Sequence, residues 1–381
     1  MHRAAPQEAR RRKQSTGLRR AARALIVWLG AIPLPPGAAG KAPTTRPRAD
    51  LNDLLARFSA SGTPPAERLG AAERILELGQ DAAKRLLPLL QSRERFVQAA
   101  YQRQFQLRAT HLRAAKTAEL AARQNKTRAQ INQDIRGWRK TVLSLHGKEG
   151  LTEQVIHRQT AEAMAKLNDL LYVDRRTVLA RTPELARQRD HVLKLVTLGR
   201  RCERIASGRA GPPPAAEDDD PRKTPDGSLS DYEDLACLLA MPMIAASRQI
   251  ILSNVKKEPG LRWQEAAGIR DFNRIRFLLG LWALQTDLRL CACARDHCRD
   301  MRKHRFVGHD SPLPGKRKPW DRAKLFGTRA GAENITVGPT DPKRANQNWF
   351  HSPTHFFNLF HKFKYVGLGY EATYWTQMFG W

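Results

Sequence analysis

Gly331-Ala332-Glu333-Asn334-Ile335 decides the reading of this chain. Phe306-Val307-Gly308-His309-Asp310-Ser311-Pro312 stands before it. Trp349-Phe350-His351-Ser352-Pro353-Thr354-His355 and Tyr374-Trp375-Thr376-Gln377-Met378-Phe379-Gly380 follow. Together the four segments put separated His and Glu side chains beside short aromatic and Gly-rich stretches. That is the pattern of one site assembled from distant parts of one domain, and nothing upstream is comparably specific.

Outward from these segments, residues 230–256, 265–279 and 289–305 carry apolar side chains at helical spacing. Short β-branched and aromatic runs come late, at 335–337, 365–370 and 374–379. Helices first and strands late predict an α+β layered structure and not an alternating parallel sheet. Residues 50–206 are helical throughout: Leu51, Leu54, Leu55 and Phe58 share a face, as do Ile131, Ile135, Trp138 and Val142. They read as an all-α bundle or coiled coil. Residues 66–90 faintly resemble one solenoid repeat without a second copy. The scattered His111, His146, His157 and His191 are expected to face solvent. Residues 207–229, rich in Pro and acidic side chains, read as a disordered linker, and residues 230–381 as a C-terminal domain with a helical extension. Asp218, Asp219 and Asp220 lack the spacing of a calcium loop and read as a solvated charge run.

The first 40 residues have the layout of a secretory signal peptide: a basic region from Arg10 to Arg23, an apolar run from Ala24 to Leu34, and small residues up to Gly40. A basic leader is the alternative, and residues 41–49 are a linker. The apolar run is shorter than the about 20 residues that span a bilayer, so no transmembrane span is expected. An exported, envelope-associated protein follows. The net charge of +29, from 66 Lys+Arg against 37 Asp+Glu, favours polyanionic partners. Zinc-finger spacing, RNP-type aromatic motifs and a P-loop are all absent from the sequence, so nucleic acid is not the expected partner. The five cysteines are odd in number, and Cys291 and Cys298 lie about 10 Å apart along one helix. Buried free thiols are expected, not a disulfide framework.

The motifs strongly resemble the CAP superfamily of cysteine-rich secretory proteins, antigen 5 and plant pathogenesis-related protein one, in its bacterial secreted branch. The resemblance covers about residues 266–381, through Phe272-Asn273-Arg274, Gly280-Leu281-Trp282, Ala294-Arg295-Asp296-His297 and the four opening segments. It implies a three-layer α-β-α sandwich, the CAP fold, with a cleft over the sheet. In many members two His and two Glu line that cleft and hold a divalent metal. Here His309 and Glu333 match the first His and a Glu; the second Glu position is Ser352 and the second His position is Tyr374. His355, in a Ser-Pro-Thr-His segment, is placed to recover part of the set.

His309, Ser311, Glu333, Ser352, His355 and Tyr374 are therefore the expected cleft residues. His309, Glu333 and His355 would suit zinc by ligand type, if they converge; a polar His309–Glu333 cluster is the alternative. Cys293, His297 and His304 form a second candidate metal set on one helix. No Gly-x-Ser-x-Gly elbow is present, and Ser311 and Ser352 each precede Pro, which suits turns. Two functions follow. One is a non-enzymatic or weakly enzymatic extracytoplasmic module binding lipid, glycan or an anionic envelope polymer, with the helical region docking it or mediating self-association. The other is a metal-dependent hydrolase of peptide or cell-wall material.

Overall fold

The computed structural model describes residues 50–209 and 220–381. The expected signal peptide, the 41–49 linker and Asp218 and Asp219 lie outside the described residues. The upstream half is built from α1 (Leu51–Ser59), α2 (Pro65–Glu77), α3 (Gln80–Arg123), α4 (Arg128–Leu143), α5 (Glu153–Leu171), α6 (Arg175–Ala180) and α7 (Pro183–Ala206). α3 runs for 44 residues, about 66 Å at 1.5 Å per residue. Its apolar positions Leu86, Leu90, Tyr101 and Phe105 are buried. Thr127 and Gln130 form a capping box that starts α4, satisfying two backbone donors that the first turn leaves open. A buried carboxylate ties three helices together: Glu233 Oε1 accepts from Tyr101 Oη at 2.5 Å and from Arg189 Nε at 2.7 Å.

The predicted helix at 230–256 is two helices, α8 (Pro225–Leu239) and α9 (Ala245–Lys257). Pro242 separates them, because it has no N–H to give and forces Met241 out of helical geometry. α8 also begins inside the predicted linker. Thr224 caps it by accepting from Gly227 N at 3.0 Å. Asp220, one of the three linker acids, accepts from Arg222 at 2.7 Å.

α10 (Trp263–Leu278), β1 (Gln285–Thr286), α11 (Leu288–His304), α12 (Pro319–Leu325), β2 (Ala332–Val337), α13 (Pro342–His351), α14 (Pro353–Phe360), β3 (Tyr365–Glu371) and β4 (Tyr374–Gly380) complete the chain. The sheet order is β1-β3-β4-β2. Only the short β1 runs parallel to its neighbour; β3–β4 and β2–β4 are antiparallel. Side chains alternate across the strands. Val366, Leu368, Trp375 and Phe379 join one core with Phe272 of α10 and Trp349 of α13. Met378 packs with Leu290 and Cys293 of α11 on the opposite face. Helix, sheet and helix thus make the three layers of an α-β-α sandwich.

The larger of these cores does not stop at the sandwich. Ile131, Ile135 and Val142 of α4 and Ile156, Leu167 and Leu170 of α5 belong to it too. Residues 51–381 form one compact unit. All five cysteines are free and buried. Burial pushes the Cys202 thiol up to about 11 and those of Cys291 and Cys293 up to about 12.

Candidate functional site

Glu333 is the second residue of β2, and its side chain points to the α11–α12 side of the sheet. Its two carboxylate oxygens have different partners. Oε2 accepts from Arg322 Nη2 at 2.6 Å, and Oε1 lies 2.9 Å from His309 Nδ1. A carboxylate only accepts, so Nδ1 carries the proton of that bond. Arg322 is fully buried and Glu333 nearly so. The other end of the guanidinium gathers the loop after α11: Nη1 donates to the carbonyls of His309, Lys316 and Arg317 at 3.0, 3.0 and 3.1 Å. Arg322 is therefore what places His309, and no motif in the sequence marked it.

Across from this triad, the backbone carbonyl of His355 accepts from Asn334 Nδ2 at 3.4 Å. Asn334 also reaches Gln377, its cross-strand partner, at 3.2 Å. Asn358 Nδ2 closes the network on Asn334 Oδ1 at 2.8 Å. The His309 and His355 rings lie 6.4 Å apart between centroids. His355 Nδ1 is 2.9 Å from Ser352 Oγ.

Of the expected three-ligand set, His309 and Glu333 meet directly, and the His355 ring stands 6.4 Å from that of His309. Both Glu333 oxygens are occupied, one by a guanidinium whose positive charge opposes a cation at the same carboxylate. Among the described residues, no group of three or more His, Cys, Asp or Glu side chains is placed to hold a metal ion. The residues of the Cys293–His297–His304 alternative are placed in different surroundings. Cys293 packs in the α11–sheet core, and His297 Nε2 is 3.1 Å from the Gly308 carbonyl.

Ser311 is a turn residue: its N donates to the Arg317 carbonyl at 2.8 Å and its Oγ accepts from Leu313 N at 3.2 Å. Tyr374 packs against the Cys298, Met301 and Ile335 cluster on the α11 side of the sheet. Ser352 and His355 have the spacing of a nucleophile and base, but a base needs an orienting partner on its other nitrogen. The nearby carboxylate, Glu333, is held elsewhere. Beside this pair opens a cleft of about 420 Å³, lined in part by Ser352, His355, Arg344 and Asn348.

The helical region also reaches the cleft, which its sequence did not indicate. Glu153 of α5 lines it. His157, exposed as expected, sets Nδ1 3.4 Å from Nε2 of His351. His146, expected likewise, stacks on Phe357 at 4.6 Å. Glu153 and His157 are one turn apart on α5, so a single helix face carries both; nothing in the sequence paired that face with α13.

Three imidazoles, buried His297 and half-buried His351 and His355, hold their pKa values below the ordinary 6.5: His297 through burial, His351 through burial and then His157, His355 through burial and then His309. Below about pH 6.5 the unfolded chain binds these protons more tightly than the folded one, so acidification costs stability until the lowered folded values are passed. Asp234 and Glu258, raised by burial, act in the opposite sense. The expected result is a His297→Asn variant whose urea midpoint falls less steeply between about pH 6.5 and 5 than the parent's. NMR titration should place the His297, His351 and His355 midpoints below 6.5; a parent and variant with equal slopes would contradict the assignment.

A three-layer sandwich with a small C-terminal sheet between helices is the architecture of this part of the chain. Residues 269–379 match the family described as CAP, the cysteine-rich secretory protein family, and this part of the chain is a bacterial CAP superfamily domain. An uncharacterized protein of Bacillus subtilis strain 168, YkwD, is 34% identical over 105 residues, or 26% of this chain and 40% of that protein. The chain thus spans well under half of that relative's length. A solved structure of an extracellular protein containing a SCP domain, from Bacillus anthracis strain Ames, shares 28% identity. It covers 30% of this chain and 39% of its own, with a TM-score of 0.29. No helix among the described residues is long and apolar enough to cross a membrane.

Proposed function

We propose that the chain is an exported binding module whose CAP cleft takes a polar envelope ligand, a glycan or anionic wall polymer. The carrying observation is the Glu333 carboxylate held between Arg322 and His309, which leaves the Ser352–His355 pair without an acid to orient it. What remains is recognition. Thr336, Arg344, Gln347, Asn348, Ser352 and His355 present hydroxyl, guanidinium, amide and imidazole groups around one opening. Such groups suit a hydroxyl-rich or anionic chain better than an acyl tail. Export is the reading of the leader, and it agrees with the basic charge.

Purified chain titrated with soluble peptidoglycan fragments and with teichoic-acid-type polymer should bind one of them. Arg344→Ala and Asn348→Ala together should weaken that binding by about tenfold, the equivalent of about 1.4 kcal/mol. Equal binding by parent and variant would exclude the cleft. Hydrolysis of either polymer that is lost in Ser352→Ala would replace this reading with an enzymatic one.

A further inference from the structure

A second cavity lies outside the CAP cleft. It opens where α3 and α4 meet the segment between α8 and α9 and the end of α10, has a volume of about 870 Å³, and shares no lining residue with the cleft. That volume falls within the range of about 300–1,000 Å³ typical of small-molecule sites. Its composition is two-sided. Arg113, Arg128, Arg136 and Arg139 line it, with no described acidic residue. Ile135, Met243, Ile244, Phe277, Leu281 and Trp282 supply an apolar surface. Ile244 and Trp282 are 50% and 63% exposed, large apolar side chains left at the opening.

Four guanidiniums around one opening repel each other unless an anion joins them. Arg139 is fixed by donating Nε to the Leu278 carbonyl at 2.9 Å and Nη2 to that of Phe277 at 3.1 Å. Arg113 is different: its Nε is buried and has no hydrogen-bond partner. Burial, and then the charge of Arg128, hold Arg113 below its ordinary value. A buried guanidinium N–H without an acceptor costs on the order of 1–3 kcal/mol or more, and an anion in the cavity would offset the mutual repulsion of the arginines around it. Guanidinium is also the side chain best suited to phosphate and carboxylate, through paired N–H donors.

We infer that this cavity binds a single-chain anionic amphiphile: a phosphate or carboxylate headgroup on the arginines, with its acyl chain along Ile135, Met243, Phe277 and Trp282. The inference goes beyond the cleft reading and does not depend on it. It gives the helical region a role: α3 and α4 supply the arginines, and the CAP domain supplies Phe277, Leu281 and Trp282. Neither part holds the site alone.

Calorimetric titration of the full chain with lysophosphatidic acid, below its micelle concentration, tests this. One-to-one binding is expected, with monoacylglycerol (no charge) and glycerol 3-phosphate (no chain) each at least about tenfold weaker. Arg113→Gln with Arg136→Gln should weaken lysophosphatidic acid by at least about tenfold while circular dichroism and Tm are kept. Arg136→Gln alone, at an exposed position, should lower affinity in the same direction even if Arg113 proves necessary for folding. Arg344→Ala, in the CAP cleft, should leave this binding unchanged, which separates the two sites. The inference is overturned by an absence of binding, by equal affinity in the arginine variants, or by glycerol 3-phosphate binding as tightly as the lipid, which would make this a bare anion site. Displacement of the lipid by a short oligonucleotide would also overturn it, in favour of a polyphosphate surface.

Discussion

Arg322→Met should cost about 3–5 kcal/mol of folding stability, the usual penalty for leaving a buried charge without its partner. The pair is deep: Arg322 and the Glu333 side chain have essentially no exposure, and their charged atoms lie 2.6 Å apart. Removing the guanidinium strands the carboxylate with only His309 beside it, and that imidazole is half exposed. It also withdraws one donor from three loop carbonyls, at His309, Lys316 and Arg317. Those carbonyls lie in a surface loop and can turn to water, so the stranded carboxylate dominates the cost. The double variant Arg322→Met, Glu333→Leu should recover most of the loss, because apolar replacement of a whole buried pair is often close to neutral. Urea unfolding of the two variants is the measurement. A single variant as stable as the parent would mean that Glu333 is not held as a buried ion.

Gly369→Ala should destabilise the sandwich by about 3 kcal/mol or more, the upper end of the overpacking range. Gly369 and Gly367 lie on the face of β3 that α11 crosses. A Cβ at Gly369 would sit 2.2 Å from the backbone N of Arg295 and 2.3 Å from the carbonyl carbon of Ala294. At Gly367 it would meet Leu290 at 2.4 Å. Backbone cannot rotate aside, so the helix must move off the sheet. Its movement would pull Arg295 from Glu265, a fully buried carboxylate that also accepts from the backbone N of Tyr370 and Arg262. Gly268→Ala is the control. Its Cβ would meet Cδ2 of Leu368 at 2.4 Å, the far end of a flexible side chain. Ala gains about 1 kcal/mol over Gly inside a helix, so that variant should stay within about 1 kcal/mol of the parent. Similar losses in both variants would refute the close approach of α11.

The order and local identity of the CAP elements were legible because they rest on periodicities that a sequence carries directly. Leu288–His304 and the three late strands fall within a few residues of expectation. The break at Pro242 was visible as a residue type, yet the apolar positions on either side outweighed it. The lone Pro88 inside α3 shows why Pro alone does not decide: that helix continues through it.

The site was legible only as a set of residue types. His309 and Glu333 converge as their motifs suggested, but the sequence could not say what else reaches Glu333. Arg322 lies 11 residues away on a short helix, and only the folding of α12 against β2 brings its guanidinium to the carboxylate. That contact turns a candidate metal ligand into half of an ion pair. His146 and His157, isolated along the helical region, find Phe357 and His351 across about two hundred residues of chain. By itself, then, the sequence determined the class of the C-terminal domain, its strand and helix order, and its buried free thiols, since these follow from local pattern and residue chemistry. The tertiary structure decided how the carboxylate is used, that the helices share the sandwich's core, and that four arginines gather over an apolar cavity, because each depends on long-range packing that no local spacing encodes.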